Sequence, residues 1–236
     1  MKLLAFETAT EACSVALYLD GQVRERFEIA PRRHAELALP WADALLAEAG
    51  VARTQLDAIA VGRGPGAFTG VRLAIALAQG VALALDRPVV PVSTLAVLAA
   101  GAAVAGPARI LATIDARMGE VYAGAFLREG DGLAALDVER VLAPGAVELP
   151  ADDGGEWQGV GTGFAAADGL LAQRLQSRLA AVDAAALPRA ADLARLAAAA
   201  FARGEAVAAE RAEPAYLRDN VALTLVEQQA LRASRR

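Results

Sequence analysis

The chain has one cysteine, one lysine and one histidine, and each scarcity excludes a class of chemistry. Cys13 has no second thiol with which to close an internal disulfide, and it reads as a small buried side chain in a strand. A nucleophilic Cys13 would need a basic partner, and His34 is the single histidine available to every site. Lys2 stands at the chain start, so no lysine is placed for a phosphate-transferring P-loop or a Schiff base. One histidine and one thiol far apart in sequence also exclude metal catalysis through a histidine pair. No signal peptide is expected, because Glu7 follows the short apolar start almost at once. Residues 88–108 carry no charge, but Pro91, Ser93, Thr94, Gly101 and Gly106 divide them into a strand and a small-residue helix. That pattern fits buried core better than a membrane span.

Positive charge is also in deficit. A net charge of −5 and a pI near 5.1 argue against nucleic-acid binding by this chain alone, because phosphate contacts need clustered cations. The basic run Leu231–Arg236 reads as a solvated terminus. What is abundant is apolar: 236 residues at 56% hydrophobic content suffice for one large domain or two small ones.

The most informative stretch is Gly62-Arg63-Gly64-Pro65-Gly66-Ala67-Phe68-Thr69-Gly70-Val71-Arg72. It follows an apolar run, Leu56–Val61, that reads as a strand, and precedes Leu73–Leu85, which reads as a helix. A glycine turn between a strand and a helix is how α/β proteins hold phosphate, on backbone N–H groups and the positive helix end. Here the P-loop lysine is missing, and Arg63 and Arg72 are the loop's only cations.

Strands are predicted at Leu3–Phe6, Cys13–Leu19 and Val23–Ile29, with Asp20-Gly21 as the hairpin turn between the last two. A helix over Ala35–Ala49 ends at Gly50; a strand Val89–Val92 and a helix Leu95–Ala103 close the first unit at Gly106-Pro107. The second unit restarts with strands Arg109–Ile114 and Glu120–Leu127. Leu4-Ala5-Phe6-Glu7-Thr8 and Ala112-Thr113-Ile114-Asp115-Ala116 both deliver an acid into a tight turn, which points to an internal duplication. After Leu127 the chain reads as loop until a strand, Gln158–Val160, leads into Gly161-Thr162-Gly163. Alanine-rich helices are expected over 165–209. The organisation is a lobe at 1–106, a lobe at 107–218 and a tail at 219–236.

Two glycine turns and two acid-bearing hairpins can surround one nucleotide cleft, with Glu7, Gly64, Gly66, Asp115, Gly161 and Gly163 as candidate residues. Asp115, Arg117 and Glu120 around one turn fit either a Mg²⁺-phosphate site or a capped hairpin with a solvated ion pair, and the latter is favoured. The helix after the glycine loop is apolar on every face, with Gly70, Ala74, Ala78 and Ala82 in an i, i+4 row. It is either covered on both sides internally or is one side of a helix-to-helix subunit interface. The candidate interface comprises His34, Leu37, Trp41 and Leu45 on the first helix and Gly70, Val71, Ala74, Ile75, Ala78 and Ala82 on the second. His34 beside Arg32 and Arg33 also has a structural reading at the start of its helix.

Residues 8–17, the run Gly62–Arg72, Val92-Ser93-Thr94-Leu95, Asp115–Tyr122 and Ala212-Glu213-Pro214-Ala215-Tyr216-Leu217-Arg218 resemble the bacterial TsaB (YeaZ) family. The resemblance implies an α/β, two-lobed fold of the actin, Hsp70 and sugar-kinase class (ASKHA) with duplicated mixed-sheet subdomains. It implies a cytoplasmic role in making threonylcarbamoyladenosine next to the tRNA anticodon. In that family the chain is a non-catalytic relative of TsaD, with which it pairs through helices of the N-terminal lobe, and the ATPase TsaE docks on the pair. A homodimer forms through a related surface; ATP and Mg²⁺ are used by the complex and not by this chain alone, and tRNA is reached only through the complex. Glu7 departs from the aspartate usual in the first hairpin of related proteins. The alternative is an ATP-dependent small-molecule kinase or ATPase of the same fold.

Overall fold

Side chains alternate along the opening strand, Leu4 and Phe6 to one face and Leu3 and Ala5 to the other, and both faces are buried. A sheet covered on both sides follows. The computed structural model describes residues 1–106, 108–151 and 154–218, so the 219–236 tail and its basic end lie outside the described residues. Its elements run β1 (Lys2–Glu7), β2 (Ala12–Leu19), β3 (Gln22–Ile29), α1 (His34–Ala49), β4 (Ala58–Gly62), α2 (Phe68–Leu85), β5 (Val89–Val92) and α3 (Thr94–Ala100). They continue with β6 (Ala108–Arg117), β7 (Glu120–Glu129), β8 (Gly132–Ala135), β9 (Arg140–Leu142), β10 (Trp157–Val160), α4 (Leu170–Leu175), β11 (Leu179–Asp183) and α5 (Ala190–Ala202).

The strands form two sheets with one plan. The first has the order β3-β2-β1-β4-β5 and the second β11-β10-β6-β7-β8, with β9 also on β7. In each, a hairpin opens the sheet and two further strands join parallel: β1–β2 antiparallel and β1–β4–β5 parallel, then β6–β7 antiparallel and β6–β10–β11 parallel. The duplication read from the two acid-bearing turns is therefore a duplication of whole sheets.

Asp20-Gly21 forms the two-residue turn expected, with both φ angles positive and Leu19 facing Gln22. Gly50 closes α1 in the left-handed conformation, where backbone N–H groups of the cap reach the carbonyls of Leu46 and Ala47. Three expectations need correction. The second helix begins at Phe68, five residues before Leu73, so half of the supposed loop is its first turn. The segment after Leu127 carries two short strands, β8 and β9. Residues 165–209 are not a run of helices: β11 lies among them, and α4 has only six residues.

Two helices make contacts across the two sheets. α3 packs through Leu95, Leu98 and Ala99 with Ile110, Ala112 and Phe126 of the second sheet, and Arg128 of β7 donates to the carbonyls of Ala100 and Ala102 at its end. α5 returns to the first sheet, where its Ala190, Ala194, Ala197 and Ala198 meet Ala5, Ala16, Ala58 and Ala60. Small residues on both sides allow this close approach, which explains the alanine content of α5. The first N–H groups of α5 find no side chain of their own N-cap; Ala190 donates to Ser14 Oγ at 2.8 Å and Ala191 to Glu25 Oε1 at 3.0 Å. Val207 then bridges to Val89 at the edge of the first sheet, and Ala209 and Ala212 join the core beneath α1 and α2. Strand periodicity does not say which sheet a following helix covers, and α3 meets both, with Val97 on the first sheet's cluster and Leu95 and Leu98 on the second's.

Candidate functional site

β4 and β1 run parallel, so the glycine loop after β4 emerges beside the β1–β2 turn. The two are packed in direct contact. A Cβ on Gly66 would stand 2.4 Å from the Ala9 carbonyl oxygen, and one on Gly70 would stand 2.0 Å from that of Thr8. Gly62 faces the Glu7 carboxyl, where a Cβ would stand 1.9 Å from Oε2. Three of the loop's donors are turned to the protein: Arg63 N–H to the Val92 carbonyl, Gly64 N–H to Thr94 Oγ1 at 3.1 Å, and Ala67 N–H to the Ala9 carbonyl at 2.7 Å. The glycines thus serve a close backbone approach between loop and hairpin, in the space where a phosphate cradle would leave its donors open.

The second lobe repeats this contact. Gly161 and Gly163 follow β10 as the glycine loop follows β4, and Cβ atoms there would stand 2.1 Å from the Thr113 carbonyl oxygen and 2.7 Å from its side chain. Asp115 N–H donates to Thr162 Oγ1 at 3.1 Å, tying this turn to the β6–β7 hairpin.

Glu7 is buried at the end of β1. Its Oε1 accepts from Ala9 N–H at 2.9 Å and its Oε2 from Thr94 Oγ1 at 3.2 Å. Burial pushes its carboxyl up to about 7, against the hydrogen bonds from Ala9, Thr94 and Thr8 that pull it down. It does not face the cleft between the lobes. That cleft has a volume of about 1020 Å³. Of the six candidate residues only Gly66 and Asp115 line it; Glu7, Gly64, Gly161 and Gly163 lie behind its wall.

Asp115 is engaged by its own turn. Oδ1 accepts from Arg117 N–H at 2.8 Å and Oδ2 pairs with the Arg117 guanidinium at 2.8 Å. Glu120 pairs with Arg218 at 2.6 Å, and Arg218 also donates to the Ala116 carbonyl. Arg117 is exposed, so its pair with Asp115 is solvated. No group of three or more His, Cys, Asp or Glu side chains gathers for a metal among the described residues. Cys13 is buried, with its thiol pushed up to about 11 by burial and by Glu28, as a structural cysteine should be.

The interface residues separate into two groups. Gly70, Val71, Ala74, Ile75, Ala78 and Ala82 are buried against the first sheet, and Leu45 lies in the same core. The i, i+4 row of small residues therefore faces inward, where it brings α2 close to its own sheet, and cannot meet a partner. Leu37 and Trp41 are half-buried against the same cluster. His34 lines the cleft with Nε2 3.0 Å from the Thr10 carbonyl, tethering the start of α1 to the first hairpin. Among the described residues, none covers the second face of α2. Thr69, Ala76, Gly80, Leu83 and Ala84 are exposed, with Leu73 and Leu77 half-exposed between them, and Leu83 is 65% exposed. Sequence reasoning missed this outer stripe because a helix apolar all round gives no periodic signal to separate sheet side from outside. α2 is also the one described helix long and apolar enough to cross a membrane by length and composition, although its inner row is packed on the sheet.

Paired sheets of one plan, each opened by a hairpin and exchanging a helix with the other, define a protein of the ASKHA class. The sequence profile of the TsaD family, tRNA N6-adenosine threonylcarbamoyltransferase, matches residues 27–225. The chain is 46% identical to the tRNA threonylcarbamoyladenosine biosynthesis protein TsaB of Escherichia coli, over 94% of this chain and 96% of that one. It is 38% identical to its counterpart in Haemophilus influenzae, over 94% and 95%. The solved structure of YeaZ from Pseudomonas aeruginosa superposes with a TM-score of 0.82 at 48% identity, covering 92% of this chain and 99% of that one. This chain belongs to the TsaB (YeaZ) family of tRNA threonylcarbamoyladenosine biosynthesis proteins.

Proposed function

We propose that this chain is a non-catalytic subunit in the making of threonylcarbamoyladenosine in tRNA, pairing with a TsaD-like transferase that a TsaE-like ATPase then joins. The observation that carries this reading is the outer stripe of α2, where Leu73, Ala76, Leu77, Gly80, Leu83 and Ala84 present no charge to solvent. A contiguous apolar face of this kind marks an interaction surface. Self-association of the isolated chain would use the same face, and tRNA would be reached only through the complex, in the cytoplasm.

The competing reading is an ATP-dependent kinase or ATPase of the same fold. Against it stand the loop donors bound to Val92, Thr94 and Ala9, and an Asp115 held by its own turn. ATP and Mg²⁺ are on this reading used by the complex.

The two are separated by measuring affinity for the TsaD-like subunit from the same organism, using wild type and Leu83→Glu, alongside titration of the isolated chain with ATP·Mg²⁺. Loss of pairing in a folded Leu83→Glu protein supports the subunit reading. Micromolar ATP binding with turnover by the isolated chain would overturn it.

A further inference from the structure

The segment Ala212–Arg218 is fixed at several points beside α2 before it reaches the second hairpin through Arg218. Gln79 Nε2 donates to the Ala212 carbonyl at 3.2 Å, Ala215 N–H to the Arg63 carbonyl at 2.9 Å, and Arg72 to the Tyr216 hydroxyl at 2.7 Å. Arg218 then crosses to Glu120 of the second lobe. These contacts hold Tyr216 in place at the rim of the cleft, where it is 62% exposed. Phe68, at the first turn of α2, is 68% exposed on the same rim. The Arg72 guanidinium lies 3.3 Å from the Phe68 ring centroid and 5.2 Å from that of Tyr216. Both rings are thus ordered before any partner arrives, which removes much of the entropy cost of using them.

Phe68 and Arg72 lie on one flank of the outer stripe of α2, so this rim is continuous with the surface assigned above to the transferase subunit. Arg72 commits one donor to the Phe68 carbonyl and one to Tyr216, out of a guanidinium's five. Although the chain carries a net charge of −5, Arg32, Arg72, Arg117 and Arg218 line this cleft against two acids, Glu11 and Asp115. We infer that Phe68, Arg72 and Tyr216 are the anchor of the partner surface, receiving an apolar segment of the transferase subunit with a carboxylate that sits on Arg72. This rests on the pairing proposed above. Exposed Phe, Tyr and Arg side chains on a rigid base are the types that dominate interface energy.

The test measures the dissociation constant of the pair by calorimetry for wild type, Phe68→Ala, Tyr216→Ala, Arg72→Met and Leu83→Glu, with thermal unfolding of each isolated chain as the folding control. At least a tenfold weakening is expected for each rim variant, and a smaller salt dependence of affinity for Arg72→Met. If rim variants bind within twofold of wild type while Leu83→Glu loses binding, the anchor is wrong and the helix face stands. If Leu83→Glu binds normally and the rim variants do not, the helix-face reading fails and the anchor stands. Rim variants that weaken only self-association, or only retention of tRNA by the complex, would assign the rim to a second copy or to RNA and overturn the inference.

Discussion

The carbonyl oxygen of Thr8 lies where a methyl group on Gly70 would have to be, 2.0 Å from the Cβ position, while Thr8 Oγ1 donates to the Gly70 carbonyl at 2.7 Å. Hairpin and helix are interlocked at this point, and backbone lies on both sides. Gly70→Ala must push the hairpin away from α2, with a cost of about 2–3 kcal/mol or more, in the range of overpacked cores. Urea unfolding at neutral pH measures it. A change below about 0.5 kcal/mol would mean that the turn yields freely.

Glu7 makes stability depend on pH in an unusual direction. Its carboxyl titrates at about 7 when folded and near 4.5 when exposed, so between those values the folded state holds the extra proton. The stability is therefore greatest at low pH within this window and falls as pH rises from about 4.5 through 7, by up to roughly 3 kcal/mol from this group. Glu7→Gln removes the charge to be buried. Urea midpoints between pH 5 and pH 8 should fall for wild type relative to Glu7→Gln; parallel curves would contradict the burial argument.

Ser14 holds the start of α5 from a distance of 176 residues in sequence, accepting from Ala190 N–H while donating to Glu25 Oε1. Ser14→Ala leaves a buried N–H without its acceptor and should cost about 1–3 kcal/mol. Hydrogen exchange at Ala190 should accelerate by more than exchange in α1. Equal acceleration everywhere would show only a general loss of stability.

The same helix gives two opposite substitutions. Ala78 is wholly buried against the first sheet, so Ala78→Glu should unfold the chain, whereas Leu83→Glu on the outer stripe should shift stability by no more than about 0.5 kcal/mol. Circular dichroism during thermal unfolding distinguishes them. A folded Ala78→Glu protein would place the small-residue row on the outside after all.

What the sequence made legible follows from how local each signal is. Asp20-Gly21, Gly50 and the strand Val89–Val92 are set by neighbouring residues, and they stand as read. The duplicated acid-bearing turns revealed the two sheets because each repeats a strand, turn and strand in a short span. The face of α2 that meets solvent, and the sheet that α5 covers, depend on contacts distant in sequence. An all-apolar helix and an alanine-rich helix carry no mark of either. Glu7 was legible as the acid at the first turn, but its burial behind Gly62 depends on β4 lying beside β1.

The most direct measurement is threonylcarbamoyl transfer to tRNA by the reconstituted TsaD-like and TsaE-like subunits, with wild-type chain, Leu83→Glu, Asp115→Asn or no addition. The subunit account predicts full transfer with wild type and with Asp115→Asn, and the background rate with Leu83→Glu. Full transfer with Leu83→Glu, or transfer lost with Asp115→Asn while the complex still forms, would contradict it.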